Sequence, residues 1–273
     1  MRPNPNEHYF HVVVGGRRLE CRSIGEPGSR SPTLVFLHEG LGSVALWRDF
    51  PDRVCAAAGL PGIVYSRRGY GGSEPIDEPR SVRFMHEEAI DVLPELLRSF
   101  GLERPILVGH SDGASIALIH AGTFPQADAA VAVLAPHLFV EPVCTDAIAE
   151  IARRYEAPGL REQLGRYHDD VDGAFRYWTD VWLSDAFAAW TIEKEVAAIR
   201  CPILAIQGED DQYGTMRQLD RIAELQPGAQ LLKLADCRHS PHLDRPDEVV
   251  EAVAAFCRAI AAKEAAGGAT SRG

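Results

Sequence analysis

Hydrophobic positions along the chain gather into short, nearly continuous runs, separated by longer stretches in which they recur at helical spacing. The exception comes first. From residue 9 to 25 apolar and polar residues alternate through HVVV, Gly15-Gly16 and RRLECRSI, which predicts a β-hairpin closed by a glycine turn at an antiparallel sheet edge. A Pro/Gly/Ser stretch at 26–32 separates it from the continuous runs: TLVFLH (33–38), GIVYS (62–66), PILVGH (105–110), AAVAVLA (129–135), CPILAIQG (201–208) and AQLLKLA (229–235). Runs of this kind suit strands buried on both faces. Helical patterns lie near 44–58, 82–100, 112–124, 215–225 and 246–263. The alternation predicts an α/β fold, a mostly parallel eight-stranded sheet with helices on both faces.

The rhythm breaks between residues 136 and 200, where helical periodicity continues without a buried-strand run. This predicts a core built from 1–135 and 201–273 and an inserted helical cap over 136–200. Three of the four tryptophans (Trp178, Trp182, Trp190) fall in the insertion, and Phe175, Trp178 and Trp182 share one helix face at i, i+3 and i+7. That face either packs the cap or walls an apolar substrate pocket. The closing AAKEAAGGATSRG reads as a frayed tail.

Length and charge narrow the function classes. The 273 residues carry 28 Lys+Arg against 39 Asp+Glu, a formal net charge of −11, which argues against a nucleic-acid partner. No apolar run approaches the ~18 residues of a membrane span, and MRPNPNEHYF lacks the apolar core of a secretory signal. The six cysteines are scattered with no C-x-x-C pair and read as reduced thiols. The expectation is a cytoplasmic protein with no membrane partner.

Gly109-His110-Ser111-Asp112-Gly113 is a G-x-S-x-G between an apolar strand and a helical pattern. That frame gives weight to a motif which recurs by chance elsewhere. A nucleophile on a strained strand-to-helix turn needs small residues two places before and after it, and the helix N-terminus behind it directs free N–H groups at a developing oxyanion. A serine hydroxyl also needs a base, and the base an orienting acid, in the chain order Ser, acid, His. Gly208-Glu209-Asp210-Asp211 and Arg238-His239-Ser240-Pro241-His242 follow two later strands, at the sheet edge where such folds collect functional groups. Asp210 or Asp211 can serve as the acid and His239 or His242 as the base.

These motifs in this order resemble the α/β-hydrolase superfamily of capped, esterase-like serine hydrolases, over residues 33–260 outside the cap. The resemblance implies Ser111 as nucleophile, Asp211 as acid and His239 as base, with Arg238 standing where glycine is usual. It also implies an oxyanion hole from the backbone N–H groups of Gly40 and Asp112, since His38-Glu39-Gly40-Leu41-Gly42 is similar to the family's "HG" loop. Two positions depart from the pattern. Glu39 replaces a glycine, and Ser66 replaces the aspartate of a "DxRGxGxS"-like loop, Ser66-Arg67-Arg68-Gly69-Tyr70-Gly71-Gly72-Ser73. The two changes suggest that Glu39 supplies the missing partner of Arg68. His38, Glu39, His110, His137, Phe139, Trp178 and Trp182 are candidate pocket residues.

The implied activity is cleavage of a carboxylic ester or related acyl bond of a small molecule, with no cofactor and no metal. Thioester or carbon–carbon bond cleavage uses the same constellation, and a receptor that retains a hydrolase-like pocket is the reading from another class. Gly40-Leu41-Gly42-Ser43-Val44-Ala45 fits a dinucleotide fingerprint, but the acidic residue expected ~20 positions on is absent from YSRRG. His86-Glu87-Glu88 fails H-E-x-x-H at Ile90, and Asp169, Asp170 and Asp172 lack the full calcium-loop pattern.

Overall fold

The computed structural model describes residues 9–28 and 32–270, with side chains through residue 266. The N-terminal MRPNPNEH, part of the 26–32 stretch and the last three residues lie outside the described residues. Eight strands form one sheet: β1 (Tyr9–Val14), β2 (Arg17–Ile24), β3 (Leu34–Leu37), β4 (Gly62–Tyr65), β5 (Ile106–His110), β6 (Ala130–Leu134), β7 (Ile203–Gly208) and β8 (Gln230–Leu234). Their order is β1-β2-β4-β3-β5-β6-β7-β8. The β1–β2 hairpin and the β2–β4 pair are antiparallel, and all other pairs are parallel. Gly15 and Gly16 both take positive φ in the hairpin turn, which matches the twist of the flanking strands.

Strands β3 to β7 are buried throughout because helices cover both faces. Alternate residues feed two cores: Val35, Leu37 and Leu107 pack with α3 (Leu93–Ser99) and α4 (Asp112–Thr123), whereas Leu34, Phe36 and Val108 pack with α1 (Phe50–Ala58) and the C-terminal helix Pro246–Thr270. The period-2 geometry of a strand makes this division automatic.

Three expectations change in detail. The helix expected over 44–58 is a 3₁₀ turn, Ala45–Trp47, and then α1, because Arg48 breaks the path at φ 54°. The helix expected over 82–100 is α2 (Phe84–Glu87), a wide π-turn at Glu88–Val92, and α3; Pro94 has no N–H to give the carbonyl of Ile90. The tail is helical to Thr270, since AAKEAA is rich in the strongest helix formers.

Between β6 and β7 lie α5 (Pro142–Tyr155), α6 (Leu160–Leu164), α7 (Val171–Trp182) and α8 (Glu193–Ala198). Its last helix, α8, presses on α4 so closely that a Cβ at Gly122 would lie 2.0 Å from the Glu195 carbonyl oxygen. Among the described residues no helix is long and apolar enough to cross a membrane.

Candidate active site

The central strand β5 ends in a turn that places Ser111 at φ 53°, ψ −119°, a conformation an L-residue adopts only when its surroundings force it. The force is packing. A Cβ at Gly113 would fall 2.0 Å from the Leu37 carbonyl oxygen, so the first turn of α4 lies directly against β3. The Ser111 N–H donates to Leu134 of β6 at 2.9 Å, and the hydroxyl is left at the C-terminal edge of the sheet.

Two other strand ends converge there. The loop after β8 brings His239 Nε2 to 2.9 Å from Ser111 Oγ, and the loop after β7 brings the Asp211 carboxylate to 2.8 Å from His239 Nδ1. Asp211 is fixed in turn by the Tyr213 N–H (2.8 Å) and by Gln207 Nε2 (3.2 Å). Burial pushes the Asp211 carboxyl up, but the charge and hydrogen bond of His239 and the Tyr213 N–H outweigh it and hold it below the usual carboxylate range. An ionised Asp211 directs the proton of His239 to Nδ1 and leaves Nε2 free to accept from Ser111. Asp210 is exposed and does not meet His239. His242 packs against Trp47, Phe50 and His110, and burial among them pushes its ring down to about 3.

Gly40 and Asp112 line the same cavity as Ser111, and neither backbone N–H donates to a carbonyl among the described residues. Gly40 is required by its neighbour, because a Cβ there would lie 2.3 Å from Trp178 Nε1. The Asp112 carboxylate turns away, accepting from Trp182 Nε1 at 3.1 Å, with its other oxygen 3.9 Å from the buried Arg67.

A cavity of about 270 Å³ opens over Ser111. Glu39, His110, His137 and His239 line one part of it; Leu41, Cys144, Ile148, Ile151, Trp178, Trp182 and Tyr213 supply apolar surface. Five of the seven expected pocket residues are therefore present. His38 is not: its ring is fully buried behind the loop, accepting from the Arg67 N–H at Nε2 and donating from Nδ1 to the Glu39 carbonyl. Phe139 is not either, since it bridges to Thr191 and its carbonyl accepts from Gln218. The aromatic face of α7 divides, with Trp178 and Trp182 at the cavity and Phe175 stacked on Tyr155 of α5 at 3.7 Å. The apolar residues from α5 were missed, although Cys144, Ile148 and Ile151 keep i, i+4, i+7 spacing.

Glu39 does not pair with Arg68, whose Nε has no hydrogen-bond partner. The carboxylate missing at position 66 comes instead from Glu20, which lies opposite Ser66 where β2 runs beside β4; Ser66 Oγ donates to it at 2.6 Å and the Gly72 N–H at 3.1 Å. Glu39 faces His110, with Oε2 3.5 Å from Nδ1, while His110 Nε2 donates to the His239 carbonyl at 2.8 Å. Burial opposes both charges, yet each holds the other: Glu39 stays below the carboxylate range and His110 above the ordinary imidazole value. The carboxylate's contribution to stability is complete above about 4.5 and lost as pH falls toward its depressed value; the imidazolium's is complete below about 6.5 and lost as pH rises through its raised value. Melting of wild type beside Glu39→Gln should show the widest gap at about pH 5–6, about 1–2 kcal/mol or a few degrees, closing toward pH 9.

The sequence model of the alpha/beta hydrolase family matches residues 34–252. The chain belongs to this family. A proline iminopeptidase of Lactobacillus delbrueckii subsp. lactis is 30% identical over 110 residues, 40% of this chain, and the match spans 37% of that relative. The sn-1-specific diacylglycerol lipase of Mus musculus is 23% identical over 255 residues, 82% of this chain and 80% of the lipase. Among alpha/beta hydrolases of known structure, the enol-lactonase from Burkholderia xenovorans LB400 superposes with a TM-score of 0.70 at 20% identity, covering 90% of this chain and 98% of the lactonase.

Proposed function

We propose that the protein is a serine hydrolase that cleaves a carboxylic ester or related acyl bond of a small molecule through an acyl-enzyme. The observation that carries this reading is the continuous hydrogen-bonded series Ser111–His239–Asp211 at a positive-φ turn. Ser111 Oγ attacks the acyl carbon as its proton passes to His239 Nε2, and the carbonyl oxygen becomes an oxyanion facing the Gly40 and Asp112 N–H groups. The tetrahedral species collapses, the bond to the leaving oxygen breaks, and His239 returns the proton to it. Water, deprotonated by His239, then attacks the acyl-Ser111 carbon and releases the acid while His239 reprotonates Ser111. Asp211 holds the imidazolium in both halves, and no cofactor enters.

The helices between β6 and β7 act in this reading as a cap that supplies the apolar wall from α5 and α7. The setting is taken to be cytoplasmic, in keeping with six unpaired cysteines of which five are buried. The cavity is at the small end for ligand pockets, which favours short acyl groups. The test is hydrolysis of p-nitrophenyl esters of increasing acyl length at about pH 8. Specificity should rise by up to about fourfold per buried methylene and fall once the chain outgrows the cavity. Turnover independent of acyl length would contradict the pocket assignment. A Ser111 that takes a fluorophosphonate while every ester is refused would move the reading to thioesters or carbon–carbon bonds, and an unlabelled Ser111 would favour a receptor.

A further inference from the structure

Behind the cavity lies a cation that no step of the proposed mechanism uses. Arg67, just past the end of β4, is wholly buried, with its Cζ 5.0 Å from the centre of the Tyr70 ring. Its Nη2 donates to the Glu39 carbonyl at 2.7 Å and its Nη1 stands 3.9 Å from Asp112 Oδ2, while neither Nη1 nor Nε has a hydrogen-bond partner among the described residues. A buried cation with unmet donors weighs against folding. The loop that carries it is closed by other groups: Glu20 holds Ser66 and the Gly72 N–H, and Ser73 Oγ donates to the Ser66 carbonyl at 2.6 Å. Burial pushes the nearby Asp112 and Glu88 carboxyls up, and the charge of Arg67 is the strongest influence drawing each back down.

Both polar contacts of the guanidinium fall at the oxyanion donors. The Glu39 carbonyl and the Gly40 N–H are the two ends of one peptide, which is trans, so the C=O and the N–H point in opposite directions. Three donors grip that carbonyl: Arg67 Nη2, His38 Nδ1 at 2.7 Å and the Gly42 N–H at 3.0 Å. Only Arg67 among them is charged, because burial and the neighbouring guanidinium hold the His38 ring well below its ordinary value. Gly40 lines the cavity and Arg67 is sealed away from it, so drawing the carbonyl toward Arg67 turns the Gly40 N–H the other way. A cation bonded to one end of a peptide also polarises it and strengthens the donor at the other end. At the second donor, the Asp112 carboxylate is held between Trp182 Nε1 at 3.1 Å and the charge of Arg67, which steadies the residue that carries the N–H.

We propose that Arg67 is a positioning residue of the oxyanion hole: it orients and polarises the Glu39–Gly40 peptide and steadies Asp112, and so acts on the transition state and not on substrate binding. The inference rests on the serine-hydrolase reading. Its test compares wild type, Arg67→Lys and Arg67→Gln on p-nitrophenyl butyrate and against 1,1,1-trifluoropentan-2-one, whose adduct with Ser111 is a tetrahedral oxyanion, with active sites counted by exhaustive fluorophosphonate labelling. Arg67→Gln, which loses the charge, should lower kcat about 10²-fold and weaken the ketone by a similar factor, with KM within about threefold of wild type. Arg67→Lys, which keeps the charge without the fork, should lose about tenfold on both. An Arg67 that only supports the fold would lower the melting temperature and the count of active sites, and leave kcat per site and ketone affinity unchanged; that result overturns the inference, as does a loss that falls on KM alone. If Arg67→Gln does not fold, Arg67→Lys decides, and ketone affinity within about twofold of wild type overturns the inference; if neither folds, Arg67 belongs to the fold and the inference is likewise overturned. If no ester turns over, the rate of fluorophosphonate labelling, which places a phosphoryl oxygen in the same hole, takes the place of kcat. Wild type that takes no label sinks the hydrolase reading and this inference with it; labelled wild type with no change across the Arg67 variants sinks this inference alone.

Discussion

Ser111→Ala is expected to lower kcat on an activated ester by at least about 10⁴-fold with the fold intact. The size follows from the geometry. Ser111 Oγ is the hydroxyl that His239 Nε2 meets at 2.9 Å, and no second hydroxyl is in that position among the described hydrogen bonds. The Gly40 and Asp112 N–H groups and the cavity remain in the variant, so a small residual rate and substrate binding should survive. Because Ser111 donates its backbone N–H, not its side chain, to Leu134, the melting temperature should change by no more than a few degrees. A kcat within tenfold of wild type would remove Ser111 from the mechanism.

Asp211→Asn should rank next, lowering kcat by about 10³- to 10⁴-fold, while Asp210→Asn stays within a few-fold of wild type. An amide at 211 presents a donor as well as an acceptor to Nδ1, so His239 can settle with its proton on Nε2, the wrong nitrogen for accepting from Ser111. Asp210 is exposed, and its backbone N–H, which any residue supplies, is what reaches the Cys237 carbonyl. Steady-state kinetics of the two variants side by side decide the matter, and the reverse order would place the acid one residue earlier.

The strands were legible because burial on both faces leaves almost no polar residue in PILVGH or AAVAVLA. Chain order made Ser111, an acid at 210 or 211 and a base at 239 or 242 legible, since each follows the C-terminal end of its own strand, and the family resemblance chose Asp211 and His239 among them. What escaped depends on register. Glu20 and Ser66 are 46 residues apart and meet only because β2 runs antiparallel to β4 with Cys21 opposite Tyr65, a pairing that local spacing does not encode. Glu39 was visible as a departure but was assigned to Arg68, a near neighbour of Ser66, whereas the turn after β3 aims it at His110 beside Ser111. His38 is one residue and Phe139 two residues in sequence from a side chain that lines the cavity, yet His38 bonds behind the loop to the Arg67 N–H and Phe139 bridges to Thr191. The π-turn at Glu88–Val92 is set by one residue, Pro94, inside an otherwise regular helical pattern.

The central claim is that Ser111, activated by His239, forms a covalent acyl intermediate. The most direct measurement is intact-protein and peptide mass spectrometry after brief treatment with a fluorophosphonate, wild type beside His239→Ala. The expected result is one adduct per chain, on the peptide that contains Ser111, formed at least about 10³-fold more slowly in His239→Ala. Labelling at another residue, or at Ser111 with equal speed in both proteins, would contradict the account.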